Sequence, residues 1–384
     1  MNDFKGLLEK KTWFTESGQE GDVVVSSRVR LARNLVDHPF PGFMSSDVEV
    51  AVRDKIIGAF DKLPVRGNFA ILYIKDLAPL DRRVLLERNI ITQDFSLAEN
   101  KAVVLSEDES VSVMINETDH LRISCIKEGL TLSEVYEEAD RLDSLLEDKL
   151  HFSISLQLGY LNSNLTDVGT GMRASFMVHL PALVMTHLIE KALKAITQVG
   201  LLVKGFFGEG VSSLGDMYQI ANQISLGLSE AEIVDNLNSI VTPLINYERK
   251  ARSELLTRNT EEVEDKVFRA YGILTNCRSI TSREAIGLLS GLRLGISLNL
   301  IPKVPLEKVN ALFFLCQKSH VQKIFEDSEI AQKDSEMAQK DSEIAQKDSE
   351  IAGRPNAIDI QRAKIIRETL ADGETKGGCE CLGD

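Results

Sequence analysis

Apolar positions along this chain follow two periods in turn, two residues first and then three to four, and the change falls past its middle. A β-branched start at 23–25 leads into Arg28-Val29-Arg30-Leu31. Extended backbone puts Arg28 and Arg30 on one face and Val29 and Leu31 on the other. Further strands are expected over 63–65, 70–74, 102–105, 111–115, 121–124, 201–203 and 217–226, with Phe152, Ile154, Leu156 and Leu158 as another half-buried strand.

Between these runs the spacing predicts helices over 81–91 and 183–198, the latter packing through Leu188, Ile189, Ala192 and Ile196. A helix opened by the capping box Thr131 to Glu134 carries Leu132, Val135, Ala139, Leu142 and Leu146 in one stripe. From about 228 the strand signals stop. Ser229 and Thr281 begin further capping boxes, and Pro243 is expected to interrupt the first long helix. The pattern predicts a boundary within 228–250 between a strand-rich half and a helical one.

Residues 327–352 repeat Asp-Ser-Glu-Ile-Ala-Gln-Lys, with Met337 in place of one isoleucine. Only one strong apolar position falls in each heptad, a thin seam for a coiled coil. Pairs such as Glu329 with Lys333 add about 0.3 kcal/mol each to an isolated helix, so an exposed helical spacer is preferred to an oligomerisation zipper.

Charge narrows the function classes. The chain has 384 residues, 43% of them hydrophobic and 27% charged, with a formal net charge of -14. That balance argues against a general nucleic-acid or anionic-membrane binder, so a polyanion must be held by local arginines. The first residues lack an apolar stretch of signal-peptide length, and no run approaches a membrane span. Cys125, Cys277 and Cys316 read as reduced cytoplasmic thiols, and Cys379 with Cys381 as part of a flexible tail too sparse for a zinc site.

Candidate chemistry gathers at four places. Gly169-Thr170-Gly171 precedes Arg173, Ala174 and Ser175, so small residues and a guanidinium fork could meet a phosphate, although such a turn is also common without a ligand. Arg28 and Arg30 offer two parallel forks, or a solvated basic edge. Residues 116–122 place Glu117, Asp119, His120 and Arg122 in one connection, which also fits a turn in which Asp119 caps backbone N–H groups and pairs with Arg122. Lys204-Gly205-Phe206-Phe207-Gly208-Glu209 is a glycine-rich loop with one cation and one carboxylate.

Taken together, the stretches 26–35, 115–122, 173–183 and 204–223 resemble the phosphagen (ATP:guanido) kinase family, which includes arginine and creatine kinases. The wording is nearest to the bacterial branch, the protein-arginine kinases, over about 20–325 and again after the repeat. The resemblance implies an α+β fold, a large antiparallel sheet flanked by helices, followed by a helical C-terminal domain that supports a homodimer. Its implied parts are an N-terminal segment (1–20), a catalytic domain (21–250), a helical domain (251–326), the repeat spacer (327–352), and a terminal helix and tail (353–384).

The implied reaction moves the γ-phosphoryl of Mg-ATP to an arginine guanidinium in proteins, in a cytoplasmic quality-control setting with an activator protein and a Clp-type protease, and without nucleic acid or membrane. Such transfer depends on alignment and charge neutralisation. By motif, Arg28, Arg30, Arg122 and Arg173 clamp phosphates, with Lys204 at a fifth position where the family has arginine. Ser26, Ser27, Val29, Ala174, Ser175, Phe176, Met177, Gly205, Phe206, Phe207 and Gly208 complete the expected ATP site. Glu117 and Glu209 hold the acceptor, with Asp119 as a third catalytic carboxylate, and no protein-held metal is expected.

Several positions depart from that pattern. A second glutamate is Thr118, a cysteine is Asn164 within Asn164-Leu165-Thr166-Asp167, a histidine is Asn89, and Lys204 lacks the bidentate fork. An ATP-binding scaffold with weakened transfer is therefore the alternative reading, and a small-molecule guanidino kinase a third. Asp359 and Arg362 match part of a phosphoarginine-recognition motif, or belong to a surface helix with Arg367.

Overall fold

Strand β1 (Val24–Arg33) organises the first half of the molecule. In the computed structural model it lies inside an eight-stranded sheet ordered β2 (Phe69–Tyr73), β3 (Ala102–Ser106), β4 (Val111–Ile115), β5 (Leu121–Glu128), β1, β8 (Met172–His179), β10 (Met217–Asn222) and β9 (Leu201–Gly205). Every neighbouring pair is antiparallel. The structure describes residues 12–206, 213–326 and 356–371. Those residues fall into two compact units that divide between Thr257 and Arg258.

Register sets the two faces of the sheet. Arg30 stands opposite Ser124 and Arg173, Arg28 opposite Ile126 and Ser175, and Ala32 opposite Arg122. Residues paired in this way share a face, so Arg28, Arg30, Arg122 and Arg173 point to the same side. Val29, Leu31, Ile123, Cys125, Ala174 and Phe176 point to the other and are at most 1% exposed. Burying each larger side chain there contributes about 1.5–3 kcal/mol.

Helices follow the same logic. After α1 (Ser46–Phe60), α2 (Pro79–Glu87) and α3 (Gln93–Leu97) join an apolar cluster of Ile74, Leu85, Ile90, Ile91, Phe95, Val103, Leu105 and Met114. Met114 is the register partner of Arg122, so this cluster roofs one end of the arginine face. On the opposite face α4 (Leu132–Glu147) packs against β1 and β5 through the expected stripe Leu132, Val135, Ala139, Leu142 and Leu146, all buried.

Several local expectations change. Residues 63–65 form a turn rather than a strand. The helix expected over 81–91 stops at Glu87, and Asn89 takes a left-handed φ of 58°, a conformation asparagine tolerates better than most residues. The helix expected over 183–198 is two, α5 (Pro181–Met185) and α6 (Ile189–Gln198), separated where His187 has φ 57°. The alternating run from Phe152 yields only β6 (Ile154–Ser155), paired with β7 (Gly159–Tyr160) in a small hairpin; Phe152 is buried while Leu156 is fully exposed. No helix among the described residues is long and apolar enough to cross a membrane.

Helix α7 (Glu230–Arg258) runs through Pro243 without a break. Tertiary anchoring holds its second half: buried Glu248 accepts the Ala182 and Leu183 N–H groups at 3.1 and 3.0 Å and binds Arg252, which also reaches Asp22. These ties keep α7 with the sheet and set the division of units after Thr257, later in the chain than the pattern predicts. The Ser229 box forms as expected, with Glu232 N donating to Ser229 Oγ at 3.3 Å and Ser229 N to Glu232 Oε2 at 2.8 Å. Thr131 instead donates its hydroxyl to the Glu128 carbonyl.

The described remainder is helical: α8 (Thr260–Asn276), α9 (Ser282–Ser297), α10 (Leu306–Leu315), α11 (Lys318–Glu326) and α12 (Ala357–Ala371). Thr281 caps α9 by accepting Glu284 N–H at 3.2 Å. Thr281→Ala is expected to lower unfolding free energy by about 1 kcal/mol in urea titrations. The repeat 327–352 and Cys379 with Cys381 lie outside the described residues.

Candidate active site

Strands β5, β1 and β8 bring four guanidinium groups together on one open face. Arg28 donates from Nε to Ser124 Oγ at 2.9 Å and from Nη2 to the Asn89 carbonyl at 3.0 Å. Asn89 thus acts through its backbone. Burial and the nearby Arg122 charge lower the Arg28 pKa to about 10. Arg30 is pushed well below its ordinary value by burial and then by Arg28, Arg122 and Arg173, with Asp167 partly offsetting them. The Arg30 Nε is buried and has no hydrogen-bond partner. A buried donor among like charges fits an anion that brings both acceptors and negative charge.

Two carboxylates touch this cluster. Glu117 Oε2 accepts from Arg122 Nη1 at 2.9 Å and from Thr118 N at 2.7 Å, while its Oε1 accepts Thr92 Oγ1 at 2.9 Å. Burial raises the Glu117 pKa, but Arg122 and the Thr118 and Thr92 bonds outweigh it and hold the group at about 2. Asp167 Oδ1 accepts from Arg173 Nη2 at 2.8 Å. Arg122 therefore pairs with Glu117 rather than with Asp119, the partner a simple turn suggests.

Glu117 links acid stability to the site. Its native pKa of about 2 lies below the ordinary 4.5, so its stabilising contribution is full above 4.5 and is lost as pH falls towards 2. Glu117→Gln is expected to be less stable than wild type at neutral pH, with the gap closing across that window in acid titrations followed by circular dichroism.

Asp119 serves the scaffold. Its Oδ1 accepts from Asn34 Nδ2 and from Ser163 N at 2.8 Å, which ties the loop after β7 to the end of β1. Burial raises its pKa despite those bonds. The expected catalytic carboxylate is thus already committed. His120 is engaged too: its Nδ1 accepts Leu35 N–H at 2.9 Å and its Nε2 meets the Pro39 carbonyl at 3.0 Å.

The glycine turn also differs from expectation. Gly171 has φ 65°, and an added Cβ would come within 2.6 Å of the Ala32 carbonyl. Close packing of neighbouring backbone, rather than ligand approach, explains this glycine. Thr170 O accepts Arg33 Nη1 at 2.9 Å, and Arg33 is paired with Asp143 at 2.7 Å beneath the sheet.

The remaining expected residues divide by face. Ser26, Ser175 and Met177 line a narrow cleft beside Arg28, together with Trp13, Asn89, Ile126, Phe206 and Gln219. Gln219 Nε2 donates to Ser175 Oγ at 3.1 Å. Ser27, Val29, Ala174 and Phe176 belong to the buried face; Ser27 Oγ donates to Gly129 O at 2.6 Å. They contribute as strand packing rather than as side-chain ligands. Lys204 is exposed and paired in register with Gln219, while Gly205 pairs with Tyr218. Phe207, Gly208 and Glu209 lie outside the described residues.

Sequence reasoning missed Trp13, Ile126, Gln219 and Thr92, whereas Asp167 is legible there as an acid that could compensate for Thr118 and Asn164. Trp13 is the only tryptophan in the chain, and Gln219 alternates correctly on β10, so weak signals existed. In the helical unit, Arg362 is buried: Nε donates to Cys316 O at 2.7 Å and Nη1 to Ile280 O at 2.8 Å, beside an ion pair with Asp359. It pins the end of α10, so it is not a surface residue.

Comparisons with known proteins speak to the family and the fold. Residues 51–251 match the model for the ATP:guanido phosphotransferase C-terminal catalytic domain, and 260–344 that for the protein-arginine kinase McsB C-terminal domain. A protein-arginine kinase of Bacillus licheniformis is 42% identical over 364 residues, covering 93% of each chain, and one of Bacillus subtilis 40% over 361 residues, covering 94% of this chain and 93% of that one. Lombricine kinase superposes with a TM-score of 0.55 at 22% identity, covering 64% of this chain and 71% of that one. A duplicated taurocyamine kinase of Schistosoma mansoni gives 0.55 at 24%, covering 62% and 36%. At those identities the two structures speak to fold alone.

Proposed function

The chain belongs to the ATP:guanido phosphotransferase family, and we propose that it is a protein-arginine kinase whose β5–β1–β8 face binds Mg-ATP and delivers its γ-phosphoryl group to arginine side chains of proteins. The observation that carries the reading is the partnerless, buried Arg30 Nε among Arg28, Arg122 and Arg173. A site of that charge suits a polyphosphate. Relatives that carry the kinase name at about 40% identity give the weakened-scaffold alternative no support.

In the reaction, a guanidinium nitrogen attacks the γ-phosphorus in line, an N–P bond forms, and the bond from γ-phosphorus to the β–γ bridging oxygen breaks to release ADP. The nitrogen gives up one proton. Mg²⁺ arrives with the nucleotide, neutralising phosphate charge. Arg28, Arg30, Arg122 and Arg173 align and neutralise the phosphates.

Glu117, held at about 2, is ionised at neutral pH and a poor proton acceptor, so its part is to orient the acceptor guanidinium. Glu209 is the candidate for the proton-accepting carboxylate. The free thiols Cys125, Cys277 and Cys316 support a reducing, cytoplasmic setting. Homodimerisation through the helical unit, an activator protein and a Clp-type protease belong to the same reading.

The test is incubation with Mg-ATP and an unfolded, arginine-rich protein, read by mass spectrometry at neutral pH for acid-labile phosphoarginine. Product that disappears in Arg173→Ala supports the kinase. Intact ATP binding with no product overturns it in favour of a nucleotide-binding scaffold.

A further inference from the structure

We infer that Asp167 is a further carboxylate for the acceptor guanidinium, beside Glu117 and Glu209, standing across β1 from Glu117. This inference rests on the kinase reading. Glu117 holds Arg122 on the β5 side of β1, and Asp167 holds Arg173 on the β8 side. Their partners Arg122 and Arg173 lie on the two strands that flank β1, and the Asp167 charge is felt at Arg30.

Local structure puts Asp167 in place. Its N–H donates to the Asn164 carbonyl at 3.0 Å, which curls the loop back. Thr166 Oγ1 lies 3.2 Å from Arg173 Nη2 and 3.4 Å from Asp167 Oδ1. Backbone bonds between Tyr160 and Gly169, at 2.7 and 3.2 Å, and the Ser225 hydroxyl on the Val168 carbonyl at 3.1 Å, tie the loop down. The Asp167 side chain is 14% exposed, hence within reach of a ligand and partly shielded from water.

Charge explains what a further acid contributes. An acceptor guanidinium adds a positive charge beside four arginines. On the 116–120 turn, Thr118 is neutral and Asp119 is committed to Asn34 and Ser163, so Glu117 is the acid that the turn can offer. Asp167 adds a negative charge from the other side of β1, where the 116–120 turn cannot reach. It already binds one guanidinium, that of Arg173, at 2.8 Å. ATP phosphates give Arg173 a more highly charged partner, and the released carboxylate can take the incoming arginine.

The experiment compares wild type, Asp167→Asn, and Asp167→Asn with Thr118→Glu. An arginine-containing peptide is titrated by calorimetry in the presence of Mg-ADP, and ATP binding and phosphoarginine formation are measured separately. Asp167→Asn should weaken peptide binding and raise its KM by about tenfold, leave ATP affinity equal or tighter, and recover acceptor affinity when Thr118→Glu is added. Unchanged peptide binding overturns the assignment. Equal losses of ATP and peptide affinity without recovery also overturn it, because they mark Asp167 as a prop for Arg173. If wild type makes no phosphoarginine, the kinase reading fails by itself, and the peptide titration still decides Asp167.

Discussion

Replacing Arg30 with alanine is expected to abolish ATP-dependent thermal stabilisation and to lower phosphoarginine formation by about 10²- to 10³-fold. The stabilisation lost is about 2.7 kcal/mol when ATP is present at 100 times Kd. The empty protein should respond in the opposite sense. A cation whose native pKa is lowered by burial and by Arg28, Arg122 and Arg173 destabilises the fold wherever it stays charged, which includes neutral pH. Arg30→Ala removes that repulsion and a buried partnerless donor, so the melting temperature without nucleotide should hold or rise. Thermal scans with and without Mg-ATP separate the two effects. Persistent ATP stabilisation would remove Arg30 from the site, and a collapse of the apo protein would mean that the arginine serves packing.

The balance of repulsion and anchoring shows what can be read from the chain alone. Alternation over Arg28-Val29-Arg30-Leu31 is local, and it placed both arginines on one face and both apolar residues in the core. The Glu117–Arg122 pair spans a five-residue separation, so its elements are visible together, although a plain turn suggested Asp119 as the partner. Strand order is not local. Only the folded sheet puts Arg122 and Arg173 on either side of β1, from positions far apart in sequence.

Misreadings arose where a residue type serves two physical purposes. Gly171 fits ligand approach and backbone packing equally in sequence, and the nearby Ala32 carbonyl decides for packing. The alternation from Phe152 to Leu158 is that of a strand, yet the chain turns back into β7 after Ser155, so it shortens to a two-residue rung and leaves Leu156 in water. Arg362 reads as a surface cation, but the carbonyls at the end of α10 and before α9 draw it inside. Asp167 stands in sequence beside Asp119 as an acid that could compensate for Thr118 and Asn164, and only the folded loop shows that its partner is Arg173.

A larger stability effect is expected below the sheet. Asp143→Ala should cost about 3–5 kcal/mol in urea unfolding, because it leaves the Arg33 charge buried without its counter-ion. The Arg33 side chain is 2% exposed, with two Asp143 contacts from Nε at 3.1 and 3.0 Å and one from Nη2 at 2.7 Å. Its other ties are the Ala32 and Thr170 carbonyls, each at 2.9 Å, and the face of Tyr160 at 3.5 Å. Those dipoles cannot replace a carboxylate. Converting both partners, Arg33→Met with Asp143→Leu, should regain most of the loss, since neither charge then needs solvation. It should not restore the turn, because Thr170 O loses its donor next to the strand that carries Arg173. Stability recovered together with weakened ATP binding is therefore the expected result. A loss below about 1 kcal/mol for Asp143→Ala would show that water or backbone dipoles solvate Arg33, and that the turn above it is held by its own packing.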